Sequence, residues 1–189
     1  MKNWFVVSGY HLPLLDLSVN VKKNRNKGLI ELDSQSTWER IKNFILANQR
    51  EDCVIISKNN INHLRNSEKK FLLRSIISSV DYGGKLLVTD TNRFSNVIPL
   101  TKNLLWVGLV ESPTTYIIFR QLYDKILNQL VIDNVSFNDR INSLTSQKLL
   151  TWPFIGNPES LRNGNMENSL KRIKLILRSK SIFCPTMKN

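Results

Sequence analysis

The chain has 189 residues, enough for one domain around one core. A hydrophobic fraction of 41% excludes disorder over the whole length, and two cysteines exclude a disulfide framework. The 27 Lys and Arg outnumber the 15 Asp and Glu, giving a formal charge of +12. That excess favours polyanions such as nucleic acid, an anionic bilayer surface or phosphorylated small molecules. Stretches such as "KKNRNK" and "SKNNIN" also fit AT-rich coding, which raises Lys, Asn and Ile together.

The first residues, "MKNWFVVSGYHLPLL", carry one early Lys and an apolar stretch broken by Gly9, His11 and Pro13, a poor secretory signal. No run approaches the ~18 apolar residues of a membrane span, so a cytoplasmic protein is expected. Trp4 to Ser8 reads as a first strand ending at Gly9, and Lys22 to Lys27 as a basic loop. Ser36-Thr37-Trp38-Glu39 has the S-x-x-E form of a capping box, followed by Trp38, Ile41, Phe44 and Ile45 at helical spacing.

Cys53 to Ser57 is a wholly apolar run rich in β-branched residues, predicting a strand buried on both faces, with Cys53 a buried free thiol. Ser67 to Val80 predicts a helix with Phe71, Leu72, Ile76 and Val80 on one face. Gly83-Gly84 closes that unit, and Lys85 to Thr89 predicts another buried strand. "LLWVGL" and "TTYIIF" read as strands near Pro113. "RQLYDKIL" reads as a short helix, Ser136 to Gln147 as another opened by the box-like Ser136-Phe137-Asn138-Asp139, and "KLLTWPF" as a last strand ended by Pro153. Trp152 and Phe154 suit either core or interface. Alternating strands and helices predict a single α/β domain, with a mixed, mainly parallel sheet flanked by helices.

That domain is expected over residues 1–168, with a basic amphipathic tail over 169–189. Within the tail, Leu170 to Phe183 combines Lys171, Arg172, Lys174, Arg178 and Lys180 with Ile173, Ile176 and Leu177. Two readings stand: peripheral contact with the anionic inner face of a membrane, or a docked helix with a solvated basic face.

Ligands of open α/β sheets bind beyond the carboxyl ends of the strands. Three loops are expected there: after Ser8, after Ile56, and Asp90 to Pro99. His11 follows Ser8-Gly9 in the first. The second reads Ser57-Lys58-Asn59-Asn60-Ile61-Asn62-His63, whose amides and ammonium are poor ligands for a hard divalent cation. Lys58 reads as a phosphate contact or as a solvated loop lysine. Asp90, near Arg93, reads as a base, a ribose contact or a turn residue bonded to its own backbone. His11 and His63 form no metal-ligand spacing, so no metal and no cofactor are expected. The chain has no phosphate-binding glycine loop, no dinucleotide fingerprint, no nucleophile elbow and no CxxC. It also lacks a nucleic-acid-binding motif, which ranks nucleic acid last among its partners.

Arg93 to Trp106 ("RFSNVIPLTKNLLW"), Thr114 to Leu127 ("TTYIIFRQLYDKIL") and Lys148 to Ile155 ("KLLTWPFI") together resemble a family of small glycosyltransferases from Bacteroidetes, similar in style to the lipopolysaccharide-type family 25 enzymes. Family members carry a comparable F-x-x-A-V-P-I-S-x-N-x-x-W stretch, a strand and helix ending in K-I-L, and a Y-P-F-I segment. The resemblance extends back through "EDCVIISKNNIN" and covers Gln35 to Ile155. It implies a GT-A-like, Rossmann-like fold that binds a nucleotide sugar and passes the sugar to a cell-surface glycan acceptor. In the family an acidic motif, roughly Glu-Asp-Asp-His, follows the apolar strand and holds a divalent cation on the diphosphate. Here that position reads Lys58-Asn59-Asn60-Ile61. The later Asp-rich segment corresponds to Asn134-Val135-Ser136-Phe137-Asn138-Asp139, where Asp139 remains.

The resemblance therefore implies either transfer without metal or lost activity. In the first case Ser8, His11, Lys58, Asn59, Asn60 and Arg93 would hold the nucleotide sugar, Lys58 and Arg93 offsetting charge on the leaving diphosphate. Asp90 or Asp139 would be the base. In the second, the chain is a silent homologue that binds a sugar, a nucleotide or a partner protein. A basic nucleic-acid-binding module is the third reading.

Overall fold

Apolar runs of four or five residues, each ending in Ser, Thr or Phe, form the centre of an eight-stranded sheet among the described residues. The structure is a computed structural model that describes residues 3–17, 34–59, 61–130 and 135–155. The strands are β1 (Asn3–Val7), β2 (Tyr10–Asp16), β3 (Cys53–Ser57), β4 (Leu86–Val88), β5 (Arg93–Pro99), β6 (Leu104–Glu111), β7 (Thr115–Phe119) and β8 (Lys148–Thr151). Their order across the sheet is β1-β2-β3-β7-β4-β8-β6-β5. The helices are α1 (Ser34–Ala47), α2 (Asn66–Asp81), α3 (Tyr123–Asn128) and α4 (Phe137–Leu144), with short 3-10 turns at Ile61–His63 and Arg120–Leu122.

The fold is α/β with a mixed sheet, as expected, but five of its seven pairings are antiparallel. Among the described strands only β2–β3 and β4–β8 run parallel. The cause is local. Ser8 and Gly9 both have positive φ, 48° and 82°. This is the two-residue turn whose twist matches a hairpin, so it folds β2 straight back on β1. Pro13 precedes Leu14, the first β2 residue that pairs with β3. The expected loop from Asp90 to Pro99 is likewise mostly strand, since Arg93–Pro99 is β5.

Period-2 alternation divides the core into two layers. Val54 and Ile56 of β3 pack with Trp38, Ile41 and Ile45 of α1, Tyr123 and Ile126 of α3, and Phe137 and Ile141 of α4. Cys53 and Ile55 pack on the opposite face with Leu72 and Ile76 of α2. The α1 stripe lies as its spacing predicts, with Trp38, Ile41 and Ile45 fully buried. On α2 the inward face is Leu72, Ser75, Ile76 and Ser79, while Val80 is exposed. The two inward serines close their hydroxyls onto the helix, Ser75 on the Phe71 carbonyl and Ser79 on that of Ser75. Trp152 and Phe154 are half-buried, stacked edge-on with centroids 5.5 Å apart against the first layer.

One relationship positions the site. Val88 of β4 opposes Tyr116 of β7, and Arg93 of β5 opposes Glu111 of β6, at one constant offset. Thus β4–β5 and β6–β7 form a single antiparallel ribbon. Yet β7 lies on one side of β4, while β6 lies on the other side beyond β8. The ribbon must bend between the two halves, at residues 89–92 and 112–114, where Ser112 has φ 50°.

Candidate functional site

The carboxyl ends of β2, β3, β4 and β8 meet the amino end of β7 at one edge of the sheet, through the pairs Asp16–Ser57, Ser57–Thr115, Val88–Tyr116 and Val88–Leu150. Four of these strand ends carry a hydroxyl: Ser57, Thr89, Thr115 and Thr151, all buried. Main-chain bonds lock the edge together: Leu17 N–H donates to the Ser57 carbonyl, Lys58 N–H to Thr114, and Ile155 N–H to Thr89. Thr151 Oγ1 donates to the Thr89 carbonyl at 2.8 Å.

Over this edge, on the α2 side, lies a cavity of about 260 Å³. Its wall includes Asn59, His63, Glu68, Thr89, Thr114 and Thr115, over an apolar floor that includes Leu72 and Ile155. The direction of each hydroxyl can be assigned. Ser57 Oγ donates its hydrogen to the Asn59 carbonyl at 2.6 Å. Its 2.8 Å bond with Thr115 must then run from Thr115 to Ser57, since a hydroxyl has one hydrogen. Thr114 Oγ1 donates to Asp90 Oδ2 at 2.6 Å, and Thr89 Oγ1 leans on Asp90 Oδ1 at a longer 3.4 Å. All three threonines therefore turn their hydrogens into the protein and leave oxygen lone pairs as what remains for the cavity.

Glu68 adds another acceptor. Its carboxylate takes Arg65 N–H at 2.9 Å, Nε at 3.2 Å and Nη2 at 3.1 Å, closing the start of α2. These bonds hold the Glu68 pKa below its ordinary value, so the group is an anion at neutral pH.

Asp90 stands behind the wall. It is 2% exposed and accepts Thr114 N–H at 2.8 Å as well as its hydroxyl. Burial pushes the Asp90 pKa up, while hydrogen bonds, those from Thr114 foremost, pull the other way. With its oxygens engaged at the ribbon bend, Asp90 orients Thr114 and does not itself line the cavity. Its carboxylate bonds Thr114, 24 residues away, and the Thr89 hydroxyl, not the local backbone of its own turn. Asp139 is also committed locally: its N–H donates to Ser136 Oγ at 3.1 Å and its Oδ2 accepts from Ser136 Oγ at 2.7 Å, capping α4. Asp90 and Asp139 both raise the pKa of buried Tyr116, after burial itself. Neither lines the cavity, though Asp90 bonds Thr89 and Thr114 of its wall.

The other sequence-named residues divide. Asn59 lines the cavity, and Lys58 adjoins it with an exposed side chain. Asn60 lies outside the described residues, as do Lys22 to Lys27 and the tail Leu170 to Phe183. Arg93 begins β5, exposed, 3.9 Å from Glu111 in an ion pair at the far side of the bend. Ser8 and His11 are not part of this edge. They belong to the β1–β2 hairpin, at the amino end of β2, and His11 packs edge-on against Trp4 at 6.4 Å. The turn after Ser8 follows a strand that runs opposite to β2 and β3, so it sits at the other end of the sheet.

Sequence reasoning missed Thr89, Thr114, Thr115 and Glu68 as wall residues, and took His63 only as a lone histidine. A signal existed: the apolar runs "CVIIS", "KLLVT" and "KLLT" each end on a hydroxyl, and "TTYIIF" begins with two.

Among the described residues no group of three or more His, Cys, Asp or Glu could hold a metal ion, and no helix is long and apolar enough to cross a membrane. Cys53 is buried, its thiol pKa pushed up to about 12 chiefly by burial, so it is a core residue. Comparisons with family models, with curated proteins and with solved structures return no match.

Proposed function

We propose that the chain is a GT-A-like, glycosyltransferase-like binding protein whose cavity takes the hydroxyl-bearing ring of a sugar and which carries no transferase chemistry. The observation that carries this reading is the acceptor-only threonine wall. Thr89, Thr114 and Thr115 spend their hydrogens on Asp90 and Ser57 and keep oxygens to receive sugar O–H donors. A diphosphate, itself all acceptors, finds no complementary group among these hydroxyls or at Glu68.

Size points the same way. Pockets for drug-sized ligands run from ~300 to 1,000 Å³. At about 260 Å³ this one fits a single ring better than a whole nucleotide sugar. The resemblance described above supplies the sugar-nucleotide context. The loss of chemistry rests on Asp90 and Asp139, the two candidate bases, being engaged in the ribbon bend and the α4 cap.

Calorimetric titration with free monosaccharides and with UDP-, GDP- and CMP-sugars, beside an assay for released nucleotide, tests the reading. Saturable binding that follows the sugar ring, with no released nucleotide, is the expected result. Nucleotide release catalysed by the chain would replace this reading with an active transferase. Absence of binding by every sugar would remove it.

A further inference from the structure

A second recess, of about 200 Å³, lies between α2 and the turn that joins β5 to β6. Its chemistry is the reverse of the first. Arg74 lines it from the helix and Lys102 from the turn, with Ser78, Thr101 and Asn103 between them and no carboxylate among the described residues of the wall. Among the described residues neither Arg74 nor Lys102 makes a salt bridge. Thr101 Oγ1 accepts Asn103 N–H at 3.1 Å, which leaves its own hydrogen to donate.

Two cations lining one small recess repel each other, and an anion between them converts that repulsion into two attractions. The guanidinium can meet such a ligand with two parallel N–H bonds, and the ammonium as a point charge. The volume is several times the ~30 Å³ share of a water molecule, enough for a phosphoryl group and too little for a nucleotide.

We infer that this recess is a binding site for a phosphoryl dianion, held by Arg74 and Lys102 from opposite walls with Thr101 as a hydroxyl donor. The site is separate from the sugar cavity and does not rest on the sugar reading. Free phosphate and a phosphomonoester present the same dianion, and the test separates them.

The full chain is titrated with inorganic phosphate and, in parallel, with glycerol 1-phosphate, followed by amide chemical shifts at ionic strength held constant with chloride. Saturable shifts centred on residues 74–78 and 101–104 are expected. Arg74→Gln and Lys102→Gln should each weaken binding at least tenfold, and Arg74→Lys should fall between Arg74→Gln and the parent. Both side chains are exposed, so an unchanged thermal midpoint verifies that the variants fold. Tighter binding of glycerol 1-phosphate identifies a phosphomonoester, and equal or weaker binding identifies free phosphate. Shifts that do not saturate, or affinity untouched in both Gln variants, would overturn the site.

Discussion

Asp90 and Thr114 meet at the bend of the β4–β7 ribbon, where one carboxylate takes both the Thr114 N–H, at 2.8 Å, and its hydroxyl, at 2.6 Å. The same two bonds do two things. They hold the chain where it leaves one half of the sheet for the other, and they turn the Thr114 hydroxyl so that its lone pairs remain for the cavity. Thr91, next to Asp90, ties the bend across to the other strand, its Oγ1 2.7 Å from the Glu111 carbonyl.

Replacing Asp90 with Asn keeps the volume but sets an amide, with only one acceptor atom, against three donors, the Thr114 N–H and hydroxyl and the Thr89 hydroxyl. A buried donor left unpaired costs about 1–3 kcal/mol. Urea denaturation should show a stability loss in that range, with a smaller loss for Thr114→Ser, which keeps the hydroxyl.

The pH dependence of that difference has a definite sign. The folded pKa of Asp90 is raised, so the folded state holds its proton more tightly than the unfolded chain. The Asp90 contribution is then full below the unfolded value of ~3.9 and is lost as pH rises through the raised folded value. The stability advantage of the parent over Asp90→Asn, measured by denaturation from pH 4 upward, should shrink with rising pH. An advantage that grows instead would mean a lowered pKa, with the hydrogen bonds from Thr114 outweighing burial.

Thr115→Val preserves shape and removes the hydroxyl that bonds Ser57 at 2.8 Å. The fold should lose about 1 kcal/mol, a typical net hydrogen bond, while sugar affinity falls at least tenfold. A variant that loses stability but binds sugars as the parent does would place the ligand elsewhere.

Ser136→Ala removes the hydroxyl that caps α4 and should cost about 0.5–2 kcal/mol, read as a drop in thermal midpoint. Asp139→Asn should lower stability by less, because the amide oxygen can still take the Ser136 hydroxyl. Neither change should alter binding in the cavity, a direct test that Asp139 is a capping residue.

Gly84→Ala probes the start of β4. An added Cβ would overlap Leu149 Cδ1 and come within 3.0 Å of the Ser79 carbonyl. Overpacking of this kind costs about 1–3 kcal/mol. Denaturation of Gly84→Ala, of Leu149→Ala and of the double variant should give a double-variant loss smaller than the sum of the two single losses, because the clash is with the leucine.

Local rules were legible where neighbouring residues settle the matter. Cys53–Ser57 and Thr115–Phe119 were readable as buried strands because they are short, continuous and rich in β-branched and aromatic residues. The Trp38-Ile41-Ile45 stripe and the Ser136–Asp139 cap follow from helical spacing and from the unpaired amides of a helix start. The loop after Ile56 was likewise readable as carrying amide and ammonium groups in place of acids.

What the sequence could not determine is strand direction across the sheet, because that depends on pairings between residues far apart in the chain. The turn at Ser8-Gly9 reverses the first strand, which takes Ser8 and His11 to the wrong end for a shared site. The folding of one ribbon onto both sides of β4 buries Asp90 as a staple and delivers Thr114 and Thr115 beside Ser57. Composition and periodicity determined which residues would be inside. Only the tertiary pairing decided which hydroxyl hydrogens are used up within the protein, and so which atoms the cavity has left to offer a ligand.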